Sequence, residues 1–231
     1  MIKNIKIFAD GADKIGMFEM YKNPLISGFT TNPSLLYKAG ITNFKEFAID
    51  ILSEIKDKPV SFEVFSDNLD KMIQQAIEIS SWGENVYVKI PITNTKGEST
   101  YDVIKKLTSL NIKLNVTAIT TVKQVKEILP AFKETNESYI SIFAGRIADT
   151  GINPVPIMKQ ALKLIKNTNI KLIWASSREI YNIVQAEKIG CHIITTSNDI
   201  LKKLPLLGKD LTQYSLETVQ MFFNNSQNYK I

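Results

Sequence analysis

The chain has 231 residues, 44% hydrophobic and 22% charged, with ten Gly and eight Pro; this composition excludes disorder and collagen-like repeats and leaves a globular protein able to bury a sizeable core. A single cysteine, Cys191, and a single histidine, His192, exclude an internal disulfide framework and multi-cysteine or histidine-rich metal sites, and they weaken any triad that needs a histidine base. The net charge of +5 comes from cations scattered singly, without the runs of a nucleic-acid face, and no apolar run approaches the ~20 residues of a membrane-crossing helix.

Short β-branched runs alternate with longer helical patterns, the signature of an α/β fold with a parallel sheet and crossover helices. The N-terminus enters a strand-like pattern at once with no signal-peptide core, so a cytoplasmic protein is expected. The first strand is predicted at Ile5 to Ala9, followed by a helix over Lys14 to Met20 and a second strand at Leu25 to Phe29. Beyond Gly40 come a helix over Asn43 to Ile55, a strand opened by Pro59 at Val60 to Val64, and a helix over Leu69 to Trp82 stopped by Gly83. Strands at Asn85 to Ile90 and Ile112 to Val116 flank a helix over Thr100 to Ser109, and a helix over Val122 to Lys133 leads to a strand at Tyr139 to Ala144. A helix over Pro154 to Lys166, a strand at Ile170 to Ala175, a helix over Glu179 to Lys188 and a strand at Cys191 to Thr195 complete eight strands. Eight β/α units predict a single (β/α)8 TIM barrel spanning residues 1–231. The tail, Ser215 to Tyr229, reads as an additional amphipathic helix whose Leu216, Val219, Met221, Phe222 and Phe223 expose more apolar surface than a lone surface helix carries. It is expected to pack on a neighbouring subunit.

In such a barrel the site lies at the C-terminal ends of the strands, and those ends are polar here. They carry Asp10, then Thr30, Thr31 and Asn32, then Glu63, Lys89, Asn115 with Thr117, Ser141 with Phe143 and Arg146, and Ser176 with Ser177 and Arg178. Taken singly, most have an ordinary structural use: Asp10, Asn32 and Ser176 as helix caps, Glu63 as an exposed carboxylate. Lys89 is different, because both faces of Val86-Tyr-Val-Lys-Ile90 should be buried and lysine is rarely buried unpaired. It either ion-pairs with Asp10 or Glu63 merely to fill the barrel, or serves as an amine nucleophile, since desolvation favours the neutral amine that attacks a carbonyl to form a Schiff base. Imine chemistry also needs one carboxylate to assist dehydration and another to take a hydroxyl proton when a carbon–carbon bond breaks; Asp10 and Glu63 fill those roles. Among 28 cations only Arg146 and Arg178 are arginines, which suggests positions where a planar bidentate fork is needed for phosphate or carboxylate. Cys191 and His192, at the start of the eighth strand, read as packing residues, and Trp174 as core or site wall. Gly145 and Gly151 form neither a dinucleotide fingerprint nor a phosphate loop.

These residues stand in motifs that resemble the transaldolase family. Gly28-Phe-Thr-Thr-Asn-Pro-Ser-Leu-Leu36 is similar to its first signature and Val86-Tyr-Val-Lys-Ile-Pro91 to the segment around its Schiff-base lysine, with further likeness at Phe8-Ala-Asp10, Asn115-Val-Thr117, Ser141-Ile-Phe-Ala-Gly-Arg146 and Ala175-Ser-Ser-Arg178. The length matches the short branch, which also contains fructose-6-phosphate aldolase; there, by resemblance, the Glu63 position carries Gln and the Phe143 position Tyr. The resemblance implies a transaldolase in which Lys89 forms the imine, Glu63 and Thr117 hold the water that shuttles protons, and Asp10 deprotonates the hydroxyl of the departing aldehyde. It further implies that Thr31, Asn32, Asn115 and Ser141 hold the three-carbon unit, that Phe143 lines the site, and that Arg146, Ser176 and Arg178 grip the phosphate of a sugar phosphate. No metal or organic cofactor is implied, no nucleic acid or membrane partner is expected, and the short branch forms pentamers that pair into decamers. Departures occur at Ile142, at Ala118-Ile-Thr-Thr-Val122 and after Arg146, where the acceptor side is shaped. An aldolase that releases dihydroxyacetone, a transferase for another sugar phosphate, and a non-catalytic sugar-phosphate-binding barrel are the alternative readings.

Overall fold

Apolar and β-branched residues form eight strands, β1 (Lys6–Asp10), β2 (Ile26–Thr30), β3 (Val60–Glu63), β4 (Val86–Pro91), β5 (Leu114–Ile119), β6 (Ser138–Ile142), β7 (Ile170–Trp174) and β8 (Ile193–Ser197). In the computed structural model, which describes all residues except 1, 3, 133–136, 228, 230 and 231, they pair in parallel and in chain order. β8 closes on β1 through Lys6 opposite Ile193 to Asp10 opposite Ser197. The result is the expected (β/α)8 TIM barrel.

Around it lie α1 (Lys14–Lys22), α2 (Pro33–Lys38), α3 (Phe44–Glu54), α4 (Leu69–Ser80), α5 (Tyr101–Ser109), α6 (Val122–Ile128), α7 (Ala144–Asp149), α8 (Val155–Leu164), α9 (Tyr181–Lys188), α10 (Asn198–Leu201) and α11 (Leu211–Ser226). Their starts follow local chemistry. Asn43 and Asn68 accept hydrogen bonds from the backbone N–H groups of Glu46 and Lys71, and Thr121 forms a reciprocal capping box with Gln124, each relieving an otherwise unpaired donor of the first turn.

The boundaries depart from expectation in instructive ways. β1 and β2 end one residue beyond their apolar runs, at Asp10 and Thr30, because the backbone ladder continues where the side chains turn polar. β8 is displaced by two residues for the same reason, so that Cys191 and His192 precede it; His192 accepts the Leu172 N–H on Nδ1 at 3.1 Å. The helix expected to reach Lys133 stops at Ile128, since Pro130 lacks an N–H and turns the chain into a 3-10 turn at Leu129–Ala131; Lys133 lies outside the described residues. β6 ends at Ile142 and Ala144 already belongs to α7, a helix too short to show a period in sequence. α11 starts at Leu211, before Ser215, because the Asp210 carboxylate caps the Gln213 N–H at 2.9 Å. It ends at Ser226, and Asn228, within the predicted tail helix, lies outside the described residues.

Alternation along the strands divides two cores. Outward residues such as Val86, Val88 and Ile90 pack under the helices, while Phe8, Tyr87, Tyr139, Ile173, Ala175 and Ile193 fill the barrel, joined by the half-buried Phe143. Tyr87 and Tyr139 stack with centroids 4.0 Å apart, Phe8 meets Tyr139 edge-on, and both tyrosine hydroxyls donate to Glu137 Oε1. By contrast α11 has no buried residue; Leu216, Val219, Phe222 and Phe223 are each at least half exposed.

Candidate active site

Two residues above Tyr87 on β4, Lys89 takes the next inward position. Its Nζ ion-pairs with Glu63 Oε2 across the β3–β4 ladder at 3.0 Å and donates to the Thr31 carbonyl at 2.7 Å. With side-chain exposures of 6% for Lys89 and 16% for Glu63, this is a buried pair, and each partner would be strongly destabilising without the other. Asp10, at the end of β1, completes the group. Desolvation by its surroundings pushes its carboxyl above the ordinary carboxylate range and the Glu63 charge adds to this, while Lys89 and a hydrogen bond from Thr30 pull the other way. Thr30 Oγ1 donates to Asp10 Oδ1 at 2.7 Å and lies 2.5 Å from Thr195 Oγ1 on β8.

A second buried chain crosses the barrel beside it. Ser141 Oγ donates to Asn115 Oδ1 at 2.7 Å, and Asn115 Nδ2 donates to Ser61 Oγ at 3.1 Å. Thr117, on the same strand as Asn115, is buried with a hydroxyl that meets no partner among the described residues; such a group costs about 1–3 kcal/mol unless something else satisfies it. Its neighbour Ala118 adopts a left-handed conformation, φ 62°, at the irregularity in the β5–β6 pairing. That strain, at a strand end facing the mouth, fits a position kept for function.

The anion-binding candidates gather at the β6 and β7 ends. α7 begins immediately after Phe143 and carries Arg146, whose guanidinium carbon sits 5.6 Å from the Phe143 ring centre. Arg178 Nε and Nη2 donate to the two carboxylate oxygens of Asp149, the former at 3.1 Å, so the Nε–Nη2 edge of the fork is taken and the Nη1–Nη2 edge is the one left to meet a ligand. This contact first, and the Arg146 charge in addition, hold the Asp149 carboxyl below its usual range. Ser176 is left-handed at φ 63°. Its carbonyl is so close to α7 that a Cβ on Gly145 would lie 1.6 Å from the oxygen.

Lys89, Glu63 and Asp10 are thus brought together, as are Asn115 with Ser141, and Phe143 with Arg146. Thr31 and Asn32 are engaged as well. Thr31 donates its hydroxyl to the Ser61 carbonyl and offers Lys89 only its own carbonyl, while Asn32 Oδ1 caps α2 through the Leu35 N–H. Thr30, named in sequence only as part of a polar strand end, belongs to the same networks, as do Ser61, Asp149 and Thr195, which were not singled out by sequence; the polar run Thr195-Thr-Ser197 ending the eighth strand is the signal that could have found Thr195. The cavity of about 350 Å3 at the opposite mouth, lined by Lys6, Lys56, Lys113, Glu84 and Glu137 among others, lies below the tyrosine layer and has mixed charge. Cys191 is buried, and burial pushes its thiol up to about 12. Burial also lowers the His192 pKa. No group of metal-ligating side chains exists among the described residues.

A sequence model of the family described as Transaldolase/Fructose-6-phosphate aldolase matches residues 7–231. The chain belongs to this family. Among relatives, "Probable transaldolase 2" of Listeria monocytogenes is 36% identical over 212 residues, 90% of this chain and 93% of that protein. "Probable transaldolase" of Thermoanaerobacter sp. is 35% identical over 202 residues (87% and 89%), and that of Caldicellulosiruptor saccharolyticus 34% over 203 residues (87% and 89%). A solved structure described as a "putative phosphonomutase" from Burkholderia cenocepacia superposes with a TM-score of 0.56 over 96% of this chain and 94% of that one. At 10% identity that likeness concerns the fold alone. The chain is therefore a transaldolase-family enzyme with a TIM-barrel fold, and none of its described helices is long and apolar enough to cross a membrane.

Proposed function

We propose that the protein is a transaldolase that moves a dihydroxyacetone unit from a ketose phosphate, sedoheptulose 7-phosphate or fructose 6-phosphate, to an aldose phosphate, glyceraldehyde 3-phosphate or erythrose 4-phosphate. The observation that carries this reading is the buried Lys89 amine held 3.0 Å from Glu63 in the barrel of this family, with Asp10 as a second carboxyl. Glu63 takes a proton from the Lys89 ammonium, and the freed amine adds to the C2 carbonyl of the ketose. Water leaves the carbinolamine with proton transfer through Glu63, and a water hydrogen-bonded to the otherwise unpartnered Thr117 hydroxyl links the two. Asp10 then takes the C4 hydroxyl proton, the C3–C4 bond breaks, and its electrons enter the imine to leave an enamine on Lys89 and a free aldehyde phosphate. Addition of a second aldehyde reverses these steps, Asp10 returning its proton to the new alkoxide before water releases the product from Lys89.

Retention of the three-carbon unit between the two halves falls to hydrogen bonds with the Asn115 amide and the Ser141 hydroxyl oxygen, which accepts, with the Asn32 amide nitrogen beside them. Arg146, Ser176 and the Nη1–Nη2 edge of Arg178 receive the phosphate. Phe143 supplies no hydroxyl to activate water, which favours transfer over release; an aldolase of the fructose-6-phosphate type is the second reading, favoured only if free dihydroxyacetone accumulates. On this reading the reaction belongs to the pentose phosphate pathway, and a cytoplasmic enzyme is the expectation. The exposed apolar α11 supports packing on a neighbouring subunit, by resemblance within a pentamer or decamer.

Borohydride trapping with fructose 6-phosphate, read by intact mass and peptide mapping, tests the proposal. A dihydroxyacetone adduct on Lys89 that is absent in Lys89→Met is expected. No adduct with any ketose phosphate would leave a binding-only barrel.

A further inference from the structure

Asp10 has a neighbourhood beyond the two charges that face it, Lys89 from β4 and Glu63 from β3. From β2 comes Thr30, 2% exposed, and beyond it from β8 comes Thr195, 5% exposed. Their hydroxyl oxygens form a short row, Asp10 Oδ1 to Thr30 Oγ1 at 2.7 Å and Thr30 Oγ1 to Thr195 Oγ1 at 2.5 Å. Barrel closure produces it: Thr30 stands opposite Asp10 in the β1–β2 ladder, and Thr195 stands opposite Phe8 in the β1–β8 ladder, one inward position lower.

A hydroxyl has one proton and can accept as well as donate. When Asp10 is ionised, Thr30 must spend its only proton on the carboxylate, so the contact with Thr195 is filled by the Thr195 proton and the row donates toward Asp10. When Asp10 carries a proton, the carboxyl donates to Thr30, which turns its own proton onto Thr195, and the row runs the other way. Both contacts stay satisfied in both states, whereas a single fixed donor would suit one state and oppose the other.

We infer that Thr30 and Thr195 form a reversible hydroxyl relay that keeps Asp10 hydrogen-bonded through both halves of its proton cycle, with Thr195 a positioning residue that acts through Thr30. No bond is made or broken in the relay. The two hydroxyls only rotate, and the proton that Asp10 gains or loses is exchanged with the substrate oxygen. The inference rests on the proposed role of Asp10 as the acceptor of the C4 hydroxyl proton.

Thr195→Val removes the outer hydroxyl at nearly constant shape. Lys89 trapping by borohydride remains, kcat for transfer falls about tenfold with KM little changed, and the acid limb of the kcat/KM profile moves to higher pH because ionised Asp10 has lost its outer donor. Thr195→Ser restores both quantities, which a packing role would not predict. If Thr195→Val fails to fold, as judged by circular dichroism, Thr195→Ala gives the same comparison. An acid limb and kcat equal to wild type in the hydroxyl-free variant, or a serine variant no better than it, overturns the relay. The underlying reading fails separately: Asp10→Asn would then turn over like wild type, whereas an inactive Asp10→Asn beside an unaffected Thr195→Val sinks the relay alone.

Discussion

Replacing Gly145 by alanine tests how α7 delivers Arg146 to the mouth. The new Cβ would stand 1.6 Å from the Ser176 carbonyl oxygen, 2.8 Å from its carbon and 3.2 Å from Arg178 Cγ. A carbon–oxygen contact needs ~3.2 Å, so α7 and the β7 end must separate by about 1.5 Å. Neither side yields by a rotamer change. The obstacle is backbone, and Ser176 is already held at φ 63°, where an L-residue has little room. Overpacking of this kind costs about 2–3 kcal/mol, which for a chain of this size lowers Tm by about 4–12 °C. Because Arg146 follows directly, its guanidinium moves with the helix, and a displacement near 1 Å in a positioning group can cost about 100-fold in efficiency. Calorimetry and steady-state kinetics with fructose 6-phosphate and with unphosphorylated fructose read both effects. The loss should fall on KM for the phosphorylated ketose alone, with Lys89 trapping by dihydroxyacetone intact. A variant with wild-type Tm and a KM within twofold of wild type would refute the reasoning.

Glu63→Gln keeps the shape but leaves the Lys89 ammonium without its counter-charge and without a proton acceptor. The rate of imine formation should fall by about 10²–10⁴, measured by the rate of borohydride-dependent inactivation, and a change below threefold would exclude Glu63 from proton transfer. Asp10→Asn addresses the cost of the raised carboxyl. A folded-state pKa above the unfolded one means that the folded form resists ionisation, so stability is undiminished below the unfolded pKa and declines as pH rises toward the folded value. The asparagine variant should therefore melt a few degrees above wild type near neutrality and coincide with it below the ordinary carboxylate range; equal melting at all pH values would contradict the desolvation account. Phe222→Glu with Phe223→Glu places two charges on the exposed apolar face of α11. Sedimentation velocity should show a smaller particle than wild type, and an unchanged coefficient would remove that face from any subunit contact.

Much of this architecture is legible from residues alone, for physical reasons that also mark where legibility ends. Helices such as α3 and α4 carry asparagine caps and sustained amphipathic spacing, so their limits lie within two residues of expectation. α2, α7 and α10 span six residues or fewer, too few turns for a period to emerge. The displaced β8 is the most informative error. Its apolar run begins at Cys191 while its paired segment runs to Ser197, since the polar end that looks like a loop is where a barrel strand turns chemical. The residues that shift concealed are Thr196 and Ser197, past the expected end at Thr195. Lys89 and Glu63 stood out because a lysine inside an apolar run needs a partner. Asp149 offered no such cue, as a carboxylate three residues after Arg146 on a short helix is ordinary until Arg178, distant in sequence, is seen to grip it.

The tyrosine layer sets a limit on how this enzyme can diversify. Tyr87 and Lys89 occupy successive inward positions of one strand, about 6.6 Å apart, and Tyr87 is locked against Tyr139 by stacking and by a shared carboxylate. The cup therefore has a fixed floor close beneath the Lys89 amine. A longer or bulkier ligand cannot be accommodated by deepening it without dismantling the aromatic pair that fills the barrel. Selectivity has to be written in the wall height instead, in the segments after β5 and β6, where the residues to Val122 and those after Arg146 depart from the pattern the family resemblance implies.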